Sequence, residues 1–263
     1  ISTVIHCAGL KSVNSSIIKP YDYWEVNVSG TINLVKIMKS FSCKKIIFSS
    51  SATVYEPSSN KKLDENSKLK PINPYGTTKF VTEKFLEDIH NNPKEQWKII
   101  NLRYFNPIGA DPSGIIGECP RLEKNNIFPI ILDVASGKLD MITIFGNDWD
   151  TKDGTCIRDY IHINDLADSH IRALEYLDDN PPCFLNLNIG TGKGISVLEL
   201  IRTFEKTNNL KVPFIYGKRR MGDFGSVVAD NKLAKEILSW SPKRDLRDMC
   251  KDGWNWFINQ NSN

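Results

Sequence analysis

Apolar and polar positions along the chain follow two alternating rhythms. A short apolar run at residues 3–7 predicts a buried strand, and Ala8-Gly9-Leu10-Lys11 predicts the loop that follows it. Over residues 21–41 apolar side chains recur at helical spacing, which puts Trp24, Val28, Ile32, Val35 and Met38 on one predicted face. Residues 45–49 read as the next strand, followed by a polar loop up to Pro74. Proline suits a first helical turn, because the N–H it lacks would have had no partner there. Val81, Phe85 and Ile89 line one face of the helix it opens, and residues 97–105 read as a further strand. Strands alternating with helices are joined by crossovers, so the pattern predicts an α/β fold with a doubly wound parallel sheet covered on both faces.

The rhythm stops after Asn106, where Pro107, Gly109, Pro112, Gly114, Gly117 and Pro120 crowd together. A boundary is expected there. Residues 1–108 would form the sheet domain, and residues 109–263 mainly a smaller mixed α/β domain with some segments returning to the first. Strands are expected at residues 141–145, 158–163 and 183–188. Ser196-Val197-Leu198-Glu199 has the form of a capping box and predicts a helix start. There is no internal repeat or low-complexity tract.

Composition narrows the class without naming a function. The 263 residues are 40% hydrophobic and 25% charged, which is ordinary for a globular chain. Lys plus Arg number 34 against 31 Asp plus Glu, a net charge of only +3, and no basic stripe with interleaved aromatics argues for nucleic acid. No apolar run approaches the roughly 18 residues of a membrane span. The six cysteines (Cys7, Cys43, Cys119, Cys156, Cys183, Cys250) form no Cys-x-x-Cys pair, so neither a metal site nor a disulfide framework is expected. A reducing, cytoplasmic compartment fits them better. The opening Ile1-Ser2-Thr3-Val4-Ile5-His6 reads like the middle of a buried strand, and the expectation is that a preceding segment is missing.

The candidate chemistry sits at Tyr75-Gly76-Thr77-Thr78-Lys79. Residues four apart on a helix share a face. A phenol ordinarily titrates near ~10, and an ammonium beside it favours the phenolate and provides a general base. Ser49-Ser50-Ser51-Ala52-Thr53 ends the preceding strand and offers hydroxyls to orient an alcohol. In open parallel sheets, ligands bind at the carboxyl ends of the strands. Alone, a Tyr-x-x-x-Lys pair is usually a solvated helix face; its place after the Ser run favours the chemical reading.

Ser49-Ser50-Ser51-Ala52-Thr53-Val54-Tyr55, Pro74-Tyr75-Gly76 with Lys79, and Leu102-Arg103-Tyr104-Phe105-Asn106-Pro107 resemble the extended short-chain dehydrogenase/reductase family. His6-Cys7-Ala8-Gly9-Leu10-Lys11, Ile144-Phe145-Gly146-Asn147-Asp148 and Arg158-Asp159-Tyr160-Ile161-His162 narrow the resemblance to its UDP-glucose 4-epimerases. It runs from Ile1 to about Trp256. It implies a Rossmann-like sheet, N-terminally truncated, that holds NAD tightly, with a smaller domain for a UDP-sugar, in a homodimer. It implies an isomerase of galactose metabolism. Hydride would leave C4 of the sugar while Tyr75 removes the 4-hydroxyl proton, and the 4-keto sugar would turn before hydride returns to its other face.

The resemblance also implies roles for single residues. Tyr75, Lys79, Ser51 and Thr53 would be catalytic, with Lys79 holding the nicotinamide ribose and Ser51 bonding the reacting oxygen. Lys11, Asn27, Tyr104 and Phe105 would join Ser51, Tyr75 and Lys79 around NAD, although Asn27 also reads as a helix–loop tether. Arg158 and Arg220 would hold the diphosphate, for which guanidinium forks are suited. Asn106, Asn126 and Ile127 would surround sugar and phosphates. Thr143 and Phe145 would flank the uracil, and Asp223 would accept from the ribose.

Several departures stand beside these matches. The Gly-rich dinucleotide fingerprint is absent, and Gly190-Thr191-Gly192-Lys193-Gly194 matches a structural loop of the family instead. Weak NAD binding by the chain as written is therefore expected. Glu56 stands where glycine is usual. Val227 stands at a position that gates substrate size, so acceptance of UDP-N-acetylglucosamine and UDP-N-acetylgalactosamine is expected. Other nucleotide-sugar epimerases or dehydratases remain alternatives, although Ala52 and Val54 leave no acid beside Thr53 for elimination. An inactive truncated chain, or a non-catalytic nucleotide-sugar-binding relative, also remains open.

Overall fold

A computed structural model describes residues 1–56, 62–119, 124, 126–220 and 223–261, so Pro120 of the Pro- and Gly-rich stretch lies outside the described residues. The first half runs β1 (Val4–His6), α1 (Val13–Ile18), α2 (Pro20–Tyr23), a π-helical turn (Trp24–Ser29), α3 (Gly30–Ser40), β2 (Lys45–Ser51), α4 (Pro74–His90), β3 (Lys98–Tyr104) and β4 (Asn106–Ile108). The second runs α5 (Ile127–Ala135), β5 (Ile142–Phe145), β6 (Ile157–Arg158), β7 (Tyr160–His162), α6 (Ile163–Asp179), β8 (Phe184–Ile189) and β9 (Ile195–Ser196). It ends with α7 (Val197–Asn208), β10 (Phe214–Gly217), β11 (Ser226–Val227), α8 (Lys232–Leu238) and α9 (Leu246–Asn261).

The main sheet is parallel throughout, in the order β1-β2-β3-β8. Alternate residues of β2 feed two cores, as strand geometry requires. Ile46 and Phe48 pack with Val35, Met38, Leu86 and Trp97 from the α3–α4 side. Ile47 packs with Leu166, Ala173, Leu177, Leu238 and Trp240 from the α6–α8 side. Each fully buried side chain of this kind contributes about 1.5–3 kcal/mol. A third core joins α5, α7 and α9 through Phe128, Phe204, Trp256 and Phe257. Smaller sheets lie over it: β5 beside β10, β6 between β11 and β9, and β4 beside β7.

The stretch expected as one helix over residues 21–41 is interrupted by the π-helical turn at Trp24–Ser29. The wider turn shifts the inward face, so Trp24 is 41% exposed while Tyr23 is buried at 3%. The strand expected at residues 158–163 is likewise divided into β6 and β7, because Asp159 turns out of the ladder to bind a neighbouring loop.

Candidate active site

α4 is seated directly against the end of β2. Asn73 caps it, its Oδ1 accepting from the Gly76 N–H at 2.8 Å, and Pro74 fills the first turn. Gly76 is required by packing: a Cβ there would lie 2.5 Å from the Thr53 carbonyl oxygen. This close approach sets Tyr75 opposite Ser51, whose Oγ accepts from both the Thr53 hydroxyl (3.0 Å) and the Thr53 N–H (3.2 Å). One turn further along, the buried Lys79 Nζ donates to the Ser49 carbonyl at 2.8 Å and lies 5.8 Å from the Tyr75 ring centre. The shifted Tyr23 supports the same spot. Its ring meets Tyr75 edge-on at 6.4 Å, and its hydroxyl donates to the Ser12 carbonyl at 2.6 Å.

The electrostatics differ from the simple expectation for the Tyr–Lys pair. Burial pushes the Tyr75 phenol above its ordinary value, the Ser51 hydroxyl pulls it partly back, and Tyr23 raises it further. The ammonium is aimed at the Ser49 carbonyl. Lys79 itself is pulled down to about 8 by burial, against the opposing pull of Cys7 and Glu83. Between pH 8 and the ordinary 10.5 the folded chain therefore holds fewer protons at Lys79 than the unfolded chain. Stability should rise with pH across that window, while below it both states are protonated and this contribution is constant. Lys79→Met is expected to remove that part of the slope. Urea midpoints of both proteins without added dinucleotide measure it, and identical slopes would contradict the assignment.

A buried polar network fixes this geometry. Glu83, one turn after Lys79, accepts from Arg103 Nε (3.0 Å), Arg103 Nη2 (2.7 Å) and the Ser50 hydroxyl (2.5 Å). Arg103 Nη1 donates to the Tyr55 hydroxyl at 2.8 Å, and Tyr55 donates to Asn188 Oδ1 at 2.7 Å. β2, β3, β8 and α4 are thus bound into one register. Tyr104, partner of Ser51 across the sheet, bonds Ser49 Oγ (2.7 Å) and His170 Nε2 (2.5 Å) through its hydroxyl. Phe105 is buried with Val54, Tyr55, Leu63 and Ala229. Asn27 accepts from the Leu10 N–H (2.8 Å) and donates to the Leu10 carbonyl (3.0 Å) and Thr78 Oγ1 (3.1 Å), so it tethers the loop after β1 to the helices. Lys11 lies on the surface, its Nζ 2.6 Å from Glu118.

A cavity of about 400 Å³ opens beyond Asn106, which follows Tyr104 and Phe105 in the chain. Asn126 and Ile127, at the start of α5, form one wall. On β5 Thr143 and Phe145 alternate with the buried Ile142 and Ile144 and line another. Arg158, Arg220 and Asp223 complete it. The Arg220 guanidinium lies 3.8 Å above the Phe145 ring centre. Arg158 Nη1 donates to the carbonyls of Ile157 and Phe224, both at 2.9 Å, and Nη2 is 3.5 Å from Asp223 Oδ1. Val227 pairs with Arg158 in register and packs against the core that holds Phe105.

The sequence pattern of the NAD dependent epimerase/dehydratase family matches residues 1–190. UDP-glucose 4-epimerase 2 of Arabidopsis thaliana is 47% identical over 256 residues, 97% of this chain and 73% of that protein. The chain belongs to the NAD dependent epimerase/dehydratase family. Among solved structures, UDP-glucose 4-epimerase from Stenotrophomonas maltophila with NAD and formylated UDP-arabinopyranose superposes with a TM-score of 0.97 at 42% identity, covering 100% of this chain and 77% of that one. The Bifidobacterium longum UDP-glucose 4-epimerase with NAD⁺ and UDP gives 0.93 at 40% identity, covering 99% and 77%.

The residues present fit the nicotinamide end of the dinucleotide that names the NAD dependent epimerase/dehydratase family. Among the described residues, the buried Lys79 ammonium makes one hydrogen bond, to Ser49, and keeps donors for a ligand. The loop after β1 comes so close that a Cβ on Gly9 would lie 3.0 Å from Asn27 Oδ1 and 3.7 Å from Lys79 Nζ. A side chain at position 9 would crowd Asn27. Among the described residues, no cluster of His, Cys, Asp and Glu could hold a metal ion.

Sequence reasoning passed over three supports of this site. Tyr23 was hidden by the π turn, whereas Glu83 could have been found as the next residue on the Tyr75–Lys79 face. Asp159 lay inside a quoted motif. Its carboxylate accepts from Thr191 N–H (2.7 Å), Thr191 Oγ1 (2.6 Å), Gly192 N–H (2.9 Å) and Ala229 N–H (3.1 Å), fixing the strands that carry Arg158 and Val227.

Proposed function

We propose that the chain interconverts UDP-galactose and UDP-glucose by redox-neutral inversion at C4 of the sugar. The observation that carries this reading is the placement of Tyr75, Lys79 and Ser51 at the carboxyl end of a parallel sheet, beside an Arg-lined cavity. When bound in its oxidised form, NAD supplies the hydride acceptor and later donor, together with a positive charge that favours the phenolate. Lys79, positioned by the Ser49 carbonyl, would hold its ribose end. Arg158 and Arg220 take the two phosphates, while Thr143 and Phe145 flank the base and Asp223 accepts from the ribose. Asn106, Asn126 and Ile127 close around the hexose.

Ser51 donates to the C4 oxygen and aligns it with Tyr75. The Tyr75 phenolate takes the 4-hydroxyl proton as the C4–H bond breaks, keeps it while the 4-keto sugar turns, and returns it to the oxygen on the other face. Because Tyr75 gives back the proton it took, no external acid is consumed. The full chain with UDP-galactose and no added reductant should give UDP-glucose by proton NMR without accumulating NADH. Bound NAD with no epimerised sugar would reject the assignment.

We further propose that Val227, the register partner of Arg158, sets the substrate size through its small side chain, although it packs against the core that holds Phe105 and is not among the residues that line the cavity. UDP-N-acetylgalactosamine should also turn over, and Val227→Tyr should suppress that activity while largely retaining turnover of UDP-galactose. Equal loss on both substrates would show that position 227 does not discriminate.

The partner proposed is a second copy of the chain. Ile37 and Phe41 on the α3 side are 58% and 79% exposed, and an apolar cleft between α3 and α4 holds Ile32, Val35, Phe85 and Ile89. Light scattering on the purified full chain tests this. A cytoplasmic setting agrees with six free cysteines. Among the described residues, no helix is long and apolar enough to cross a membrane.

A further inference from the structure

Tyr160 lines two cavities. One is the sugar-nucleotide cavity, and the other is a separate space of about 510 Å³ that the proposed reaction does not use. The second is walled by the loop before β9, the start of α7, one edge of α8 and the segment leading into α9. Its size falls within the range of small-molecule sites, roughly 300–1,000 Å³.

The charge on its walls is mainly positive. Lys193, Lys235, Lys243 and Arg247 all face it. Among the described residues none of these four has a carboxylate at ion-pair distance. Arg244 also lines the cavity, but its guanidinium is bound to Asp165 at 2.6 Å. Two acids, Glu199 and Asp245, share the lining. Asp245 is occupied in closing the first turn of α9, accepting from the backbone N–H groups of Arg247 (2.8 Å) and Asp248 (3.0 Å). The whole chain has a net charge of only +3, so four cations turned to one cavity are a local concentration of charge.

The walls are held from beneath by two fully buried aspartates. Asp165 accepts from the backbone N–H groups of Lys243 (3.0 Å) and Arg244 (2.9 Å), fixing the segment before α9. Asp159 fixes the Thr191–Gly192 loop that presents Lys193. Cations on anchored backbone lose less freedom on binding an anion than cations on a free loop.

We propose that this cavity is a second ligand site, which binds a small phosphate-bearing anion independently of the sugar nucleotide. Lys193 from one wall and Lys243 with Arg247 from the other supply the charge, and Tyr160 borders both this cavity and the substrate cavity. Inorganic pyrophosphate is the probe. The sugar-nucleotide cavity also favours phosphate, so the full chain is first saturated with UDP and then titrated calorimetrically.

Binding of pyrophosphate over saturating UDP is expected, and it should weaken steeply as potassium chloride is added. Lys243→Glu with Arg247→Glu should weaken it by about tenfold or more, while UDP affinity stays unchanged and reports an intact fold. Lys193→Glu, on the opposite wall, should act in the same direction. No heat over saturating UDP, or pyrophosphate affinity unaltered by these charge reversals, would overturn the site. If UDP itself does not bind, the proposed reaction falls, and pyrophosphate binding with and without the charge reversals still decides the second cavity.

Discussion

Tyr75→Phe is expected to lower kcat with UDP-galactose by about 10²–10⁴-fold, the usual contribution of a positioned proton-transfer group. The substitution removes only the phenolic oxygen. Its ring continues to meet Tyr23 edge-on, and the packing of Gly76 on Thr53 is untouched, so α4 has no reason to move. Arg158 and Arg220 line the cavity and Tyr75 does not, so UDP affinity should remain near that of the unaltered chain. The loss therefore belongs in kcat rather than in nucleotide binding. Ser51 cannot replace the phenol, because an alkyl hydroxyl is a far weaker acid than a phenol and its oxygen already accepts from Thr53. Steady-state turnover and UDP binding on the same preparation make the test. Undiminished turnover would mean that another group takes the proton; lost UDP binding would mean that the substitution had disturbed the scaffold.

The largest effect on stability is expected at Arg103. Its side chain is 1% exposed and that of Glu83 3%, so their two hydrogen bonds pair charges almost wholly removed from water. Burial alone would lower the guanidinium's pKa, yet the Glu83 carboxylate and the Tyr55 hydroxyl hold it above its ordinary value. Arg103→Leu leaves the carboxylate buried with only Ser50 for a partner among the described residues, which should destabilise the chain by about 3–5 kcal/mol. Glu83→Leu made together with Arg103→Leu should cost less than Arg103→Leu alone, because no charge is then stranded. Denaturant unfolding of the single and double variants measures that difference. A double variant less stable than Arg103→Leu would show that the pair contributes more than mutual neutralisation.

The parallel sheet was legible because its strands lie between helices with strong apolar periodicity. Residues 45–49 and 97–105 needed only small changes of boundary to become β2 and β3. Ser196 was legible as a cap by chemistry: its Oγ accepts from the Glu199 N–H at 3.0 Å. Trp24 was misplaced because a π turn advances the helix by a different angle, which periodicity at 3.6 residues per turn cannot register. The Tyr75–Lys79–Ser51 grouping could be read locally, since one helix and one strand end carry all of it. Its electrostatics could not. Whether Lys79 faces the phenol or the Ser49 carbonyl depends on how close α4 comes to β2, which the Gly76–Thr53 contact decides. The second cavity was equally hidden, because Lys193, Lys235 and Arg247 converge only when three separate segments fold together.

In the proposed reaction hydride leaves C4 and comes back to C4 of the same sugar without exchange with solvent. UDP-galactose deuterated at C4, incubated with the full chain in ordinary water, tests it by NMR of the product. UDP-glucose carrying the deuterium at C4 is the expected result. UDP-glucose with protium at C4 would rule out this reaction, because it would mean that the C4 hydrogen is lost to water and the stereocentre is inverted by another route.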